Sequence, residues 1–187
     1  MWRHIGRVWT NGEQFLVMDR YFLYAWKGDE AQVDALAELH WSVTATEVGT
    51  GMAAVVAIDG TVNDVGWLEV FQNRTGIAIV QALGEPYERA LGKALAYPID
   101  GDHVGGDIVP VPSGNMYFFS AVLNGDCVWP KAKPGKAPVH WEPAGVPAPS
   151  GLRFDVPRGD YQLQVRWMTQ PDEDTCFARW LFCPAFT

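Results

Sequence analysis

Met52-Ala53-Ala54-Val55-Val56-Ala57-Ile58, ended by Asp59-Gly60, is the stretch that decides the fold. A nearly uninterrupted apolar run of this length is expected of a central strand covered on both faces. Working backward, Gly49-Thr50-Gly51 turns the chain, and Trp41 to Val48 alternates as a neighbouring strand. Ahead of these, Asp29 is placed to cap a helix running to about Leu39. Val33, Leu36, Ala37 and His40 fall on one face of that helix, and Asp34 and Glu38 on another. Earlier still, Arg7 to Thr10 and Gln14 to Met18 flank Asn11-Gly12, a dipeptide that tolerates positive φ and predicts a hairpin. An aromatic stretch, Tyr21 to Trp26, leads into Lys27-Gly28.

Working forward, Gly66 to Phe71 and Gly76 to Gln81 read as strands around the turn Asn73-Arg74-Thr75. Pro86 then opens a helix whose stripe is Tyr87, Ala90, Leu91, Ala94 and Leu95. A polar, glycine-rich segment, Pro98 to Asp107, reads as a turn between two halves. Beyond it lie strands at Met116 to Leu123, Leu152 to Val156 and Tyr161 to Met168. The strand Cys176 to Phe182 pairs back after an acidic turn at Gln170 to Asp174. Six of the thirteen prolines lie between Pro130 and Pro149, so 129–150 reads as a surface loop. The expected class is α+β: β-rich, mostly antiparallel sheets, two helices in the N-terminal half and an all-β C-terminal half. Residues 1–97 form an α+β lobe and 98–187 a β lobe, packed as one compact unit.

The 187 residues are 48% hydrophobic and 19% charged, a globular composition that excludes a disordered chain. The formal net charge is -8, which argues against a phosphate-backbone binder, whose affinity rests on cations. No apolar run approaches the roughly 18 residues of a membrane span, and the start lacks a long apolar leader. The expectation is a soluble, cytoplasmic protein that engages neither nucleic acid nor membrane. Cys127, Cys176 and Cys183 are an odd set among apolar residues, read as thiols in a reducing compartment, with one bridge left open.

Catalytic motifs are sparse. No glycine-rich turn ends in Gly-Lys-Ser/Thr after a strand. Ser113-Gly114 lacks the preceding glycine of a nucleophile elbow and reads as a loop serine. His140-Trp141-Glu142 has the His-x-Glu of zinc deaminases without the Pro-Cys-x-x-Cys that holds their metal. Asp100 to Asp107 is dense in carboxylates, but Val104 and Val111 stand where an EF-hand loop needs its fifth and twelfth ligands. A small metal enzyme built on that cluster is the weakest of three functional readings. No cofactor is expected.

Two patterns remain. Nine tryptophans are mostly core, but Trp26, Trp129 and Trp141 lie in or near loops. If exposed, they would stack on sugar rings, which makes a β-sandwich-like carbohydrate- or ligand-binding module the alternative reading. Charge is the second pattern. Residues 13–69 carry ten acidic side chains against Arg20 and Lys27, which accounts for the whole excess. Asp29, Glu30, Asp34 and Glu38 share one short helix, and Asp172, Glu173 and Asp174 share the last hairpin turn. These seven are the candidate partner-binding residues, as negative patches that steer a basic protein.

Two stretches carry a family resemblance. The first joins Phe15-Leu16-Val17-Met18 and Ala25-Trp26-Lys27-Gly28 to Glu47-Val48-Gly49-Thr50-Gly51 and the apolar strand after it. The second joins Val111 to Ala121 with Val156-Pro157-Arg158-Gly159-Asp160-Tyr161 and the strand that follows. Their order resembles the bacterial immunity protein 21 family, in which a Trp-x-Gly precedes a Val-Gly-x-Gly turn and a later Pro-x-Gly-x-Tyr opens a strand. That family usually carries Gly-Gly-Pro where this chain reads Thr10-Asn11-Gly12-Glu13, and the proline loop stands as an insertion. The resemblance implies an α+β cytoplasmic protein encoded beside a polymorphic toxin. Such a protein neutralises its cognate toxin by stoichiometric binding, without turnover. An acidic inhibitor suits a toxin with a basic active site.

Overall fold

The computed structural model describes residues 1–39, 44–56, 62–63, 65–128 and 151–185. Eleven strands form two antiparallel sheets among these residues. One sheet has six strands: β1 (Arg3–Asn11), β5 (Val65–Asn73), β6 (Gly76–Gly84), β11 (Thr175–Pro184), β10 (Gly159–Asp172) and β7 (His103–Val111), in that spatial order. The other has five, ordered β3 (Ala45–Val48), β4 (Gly51–Val56), β2 (Phe15–Asp19), β8 (Asn115–Ser120) and β9 (Gly151–Asp155). Two helices accompany them, α1 (Glu30–Ala37) and α2 (Tyr87–Ala96).

Side-chain alternation explains the layering. Phe15 and Val17 of β2, Ala54 and Val56 of β4, and Phe118 of β8 point into the space between the sheets. There they meet Ile77, Ile79, Leu163, Trp180 and Phe182 of the six-stranded sheet. The residues between them in sequence, Leu16, Met18, Val55 and Phe119, face outward and are covered by Leu23, Trp26 and Leu36. On the far side, Phe71, Ala78, Val80, Phe177 and Leu181 are covered by Tyr87, Ala90, Leu91 and Ala94 of α2. The molecule therefore has four layers, with α1 and α2 on opposite outer faces. Each fully buried Phe or Leu contributes about 1.5–3 kcal/mol. The apolar run at 52–58 is thus a strand buried on both faces as far as the described Val56, flanked by β3 and β2.

Three local expectations need correction. Asn11-Gly12 does not close a hairpin. β1 pairs with β5, placing Trp9 opposite Trp67, while β2 pairs with β4 and β8. Gly12 does take φ +96°, so the turn exists, but it carries the chain from one sheet to the other. Phe15–Asp19 is buried along its whole length and needs a strand on either side, which outweighs the local turn signal. Pro98 to Asp107 is not a turn throughout, because β7 begins at His103 and forms the edge of the six-stranded sheet. Gly105 lets β7 close on the other sheet, where an added Cβ would lie 2.0 Å from Thr44 Oγ1. Finally, the boundary at residue 97 crosses both sheets: in each, the strands before it lie together and join those after it, at β6–β11 and at β2–β8. The proline loop at 129–150 lies outside the described residues.

Candidate functional site

The acidic helix is built from its first turn. Asp29 Oδ1 accepts from Gln32 N at 3.0 Å. The Gln32 side chain reaches back, its Oε1 accepting from Lys27 N at 2.7 Å and Gly28 N at 3.1 Å, its Nε2 donating to Ala25 O at 3.2 Å. Gly28 has φ +61°, and a Cβ there would meet Leu123 O at 2.7 Å, so the chain enters α1 through a position only glycine fits. Leu36 anchors the helix against the outer face of the five-stranded sheet. Glu30, Asp34 and Glu38 recur every fourth residue on the exposed side and enter no ion pair with another described residue.

This arrangement is unfavourable for the helix itself. Like charges at i,i+4 repel by about 0.2–0.5 kcal/mol per pair. Glu38 is the C-cap, where the helix dipole disfavours an anion, and no basic residue occupies the last turn. Next to α1, the 3-10 turn Arg20–Ala25 presents Tyr21 and Tyr24, 57% and 60% exposed. Buried Asp19 fixes that turn. Its Oδ1 accepts from Tyr21 N at 2.8 Å, and its Oδ2 accepts from Ser113 N and Oγ at 2.9 and 2.7 Å. Ser113 is therefore engaged in holding a turn.

The second acidic group sits elsewhere. Asp172, Glu173 and Asp174 are exposed at the β10–β11 turn, beside α2. Asp172 pairs with Lys93 of α2, and Lys93 also donates to Thr175 Oγ1 at 3.2 Å. The Lys93 hydrogen bond holds the Asp172 carboxyl below its ordinary value. This turn belongs to the six-stranded side and α1 to the five-stranded side, so the seven candidate residues form two separate patches.

Two interior charge networks carry no sequence signal. Glu69 is fully buried; its carboxylate accepts from Tyr87 OH at 3.2 Å and lies 2.7 Å from His4 Nε2 and 3.5 Å from Arg7 Nη1. Burial, and then the Glu69 charge, push the Tyr87 hydroxyl well above its ordinary range. Arg179, 1% exposed, donates to Ala94 O at 2.6 Å and Tyr97 O at 2.8 Å, satisfying the end of α2. Its charge is met by Asp102, which also accepts from Arg166 Nε at 2.6 Å. The carboxylate-rich segment 100–107 thus commits Asp102 to two arginines. Among the described residues no group of three or more His, Cys, Asp or Glu is placed to hold a metal ion.

Trp26 is not a stacking platform. It is 4% exposed, and its Nε1 donates to Ala121 O at 2.9 Å. Trp129, Trp141, His140 and Glu142 lie outside the described residues. Cys127, Cys176 and Cys183 are free thiols, and burial pushes those of Cys176 and Cys183 up. No described helix is long and apolar enough to cross a membrane.

Two open clefts lie at the edges of the sandwich. One, of about 420 Å³, lies between the β3–β4 turn and β7, with Glu47 as its only charged residue. The other, of about 260 Å³, lies between β1 and β9 and is lined by Arg3, His4, Gln72, Arg153 and Asp155 among its polar residues. No family model matches the chain, and neither a curated protein nor a solved structure matches it.

Proposed function

We propose that this protein is an immunity-type inhibitor that binds a cognate toxin one to one through the outer layer over its five-stranded sheet. One observation carries the reading. Glu30, Asp34 and Glu38 form an exposed row that burdens its own helix, next to two exposed tyrosines on a turn held rigid by Asp19. Glu30 gains from the helix N-terminus, but the repulsion along the row and the anion at the C-cap meet no cation among the described residues, and a basic partner would supply one. Carboxylates steer a basic surface, and tyrosines supply contact area at low entropic cost. The hairpin acids 172–174 are secondary, since Asp172 already has an internal partner. The resemblance to the immunity protein 21 family supports the same reading.

The test is direct. The purified chain is mixed with the product of the adjacent gene, and complex formation is followed by size-exclusion chromatography and by that product's toxicity. A stable one-to-one complex that abolishes toxin activity is expected. Absence of a complex, or steady turnover of a small compound by the isolated protein, overturns the proposal.

A further inference from the structure

Asn11 and Asn124 are the two asparagines of the chain that precede glycine. An asparagine in that position is open to attack on its own side chain, because glycine has no Cβ to shield the peptide nitrogen. By sequence the two dipeptides are alike, and the fold treats them differently. Asn11 ends β1, opposite Val65 in the last pair of the β1–β5 ladder, and both Asn11 and Gly12 are exposed. Apart from that final pair, the bonds holding the turn are local. Gly12 N donates to Thr10 Oγ1 at 3.0 Å, Asn11 N donates to Glu13 Oε2 at 2.7 Å, and Asn11 Oδ1 accepts from Trp9 Nε1 at 3.0 Å. A strand end held in this way opens without the rest of its sheet.

Asn124 is built into the structure. It caps the 3-10 turn Gly125–Cys127, its Oδ1 accepting from Asp126 N at 2.9 Å. Gly125 is buried, and its N–H donates to Trp26 O at 2.9 Å, which ties the turn to the chain entering α1. Trp26 is itself buried, with its indole N–H donated to Ala121 O. For the Gly125 nitrogen to reach the Asn124 side-chain carbon, it would have to leave Trp26 O and the cap would have to open. That costs two hydrogen bonds, one of them from a buried donor.

We propose that Asn11 is a spontaneous deamidation site of the folded protein, and that the fold protects Asn124 from the same reaction. The Gly12 nitrogen attacks Cγ of Asn11 and closes a cyclic imide. The Gly12 proton passes to the departing side-chain nitrogen, which leaves as ammonia. Water then opens the imide at either carbonyl, giving aspartate or isoaspartate in place of Asn11. Either product sets a new carboxylate near that of Glu13, in the short connection that carries the chain from one sheet to the other. The isoaspartate also lengthens the main chain there. The site is independent of the α1 surface.

The experiment incubates the full chain in mildly alkaline buffer, folded and in urea. Each asparagine peptide is followed by mass spectrometry, with isoaspartate resolved by chromatography. In the folded chain Asn11 should convert about tenfold or more faster than Asn124, and in urea the two rates should converge to within about twofold. Asn11→Ser should remove most of the ammonia that the folded parent releases. Equal rates in the folded chain overturn the proposal, as does an Asn11 that stays intact while the urea-unfolded chain converts it. A difference that persists in urea overturns it too, since the cause would then lie in the flanking residues and not in the fold. So does undiminished ammonia release by Asn11→Ser.

Discussion

Arg179 and Asp102 meet at 3.0 Å, Nη2 to Oδ2, with both side chains 1% exposed. This pair joins the last long strand to the segment that follows α2, and through Arg179 it satisfies the carbonyls at the helix end. Removing Asp102 strands two guanidiniums. Asp102→Ala should cost about 3–5 kcal/mol, the penalty for leaving a buried charge unpaired, measured by urea unfolding. A loss under about 1 kcal/mol would mean that water replaces the carboxylate readily.

Tyr87 provides a pH-dependent signature. Its hydroxyl is held neutral in the fold but ionises in the unfolded chain at about 10. The unfolded state therefore releases a proton that the folded state keeps, and stability falls as pH rises above that value. The slope from this group approaches about 1.4 kcal/mol per pH unit. Unfolding midpoints measured from pH 9 upward should decline, and Tyr87→Phe should flatten the decline. An unchanged slope in the variant would assign the effect to other groups.

The acidic row separates binding from folding. Glu30→Lys, Asp34→Lys and Glu38→Lys together should slow association with a basic partner by about tenfold or more at low salt, and less at high salt. Thermal stability should change little, because like charges still face one another along α1 and the loss at its first turn offsets the gain at its C-cap. Surface plasmon resonance across a salt series, beside a melting curve, reads both. Equal binding by parent and variant would remove α1 from the interface.

Gly28 tests whether α1 must be held in place. Gly28→Ala adds a Cβ 2.7 Å from Leu123 O in left-handed backbone, so it should destabilise by about 1–2 kcal/mol. The effect should appear as faster amide exchange across residues 25–38, with the six-stranded sheet unaffected.

Much of the architecture is legible in local pattern. The stripe Tyr87, Ala90, Leu91, Ala94 emerges as the buried face of α2, because helical spacing puts those residues on one side of any helix. Asp29 caps α1 as its position implies. Strand partners were less legible. Asn11-Gly12 predicts a hairpin because a turn signal reports only its own backbone, whereas the partners of β2 depend on which strands hydrogen-bond to its two edges. The interior charge networks left no trace in sequence, since Glu69 and His4 are 65 positions apart, Asp102 and Arg179 77, and no periodicity links them.

By itself the sequence determined most of the strands, though not β7, the apolar face of α2, though of the face read for α1 only Leu36 is buried, and that negative charge gathers early in the chain. These follow from side-chain period and composition, which act over a few residues. The tertiary structure alone decided that each sheet joins a block of strands from the first half to a block from the second, and that the acidic groups part to opposite outer layers. It also decided that Glu69 and Asp102 are bound inside. Those outcomes depend on long-range pairing and desolvation, and only the assembled chain sets either.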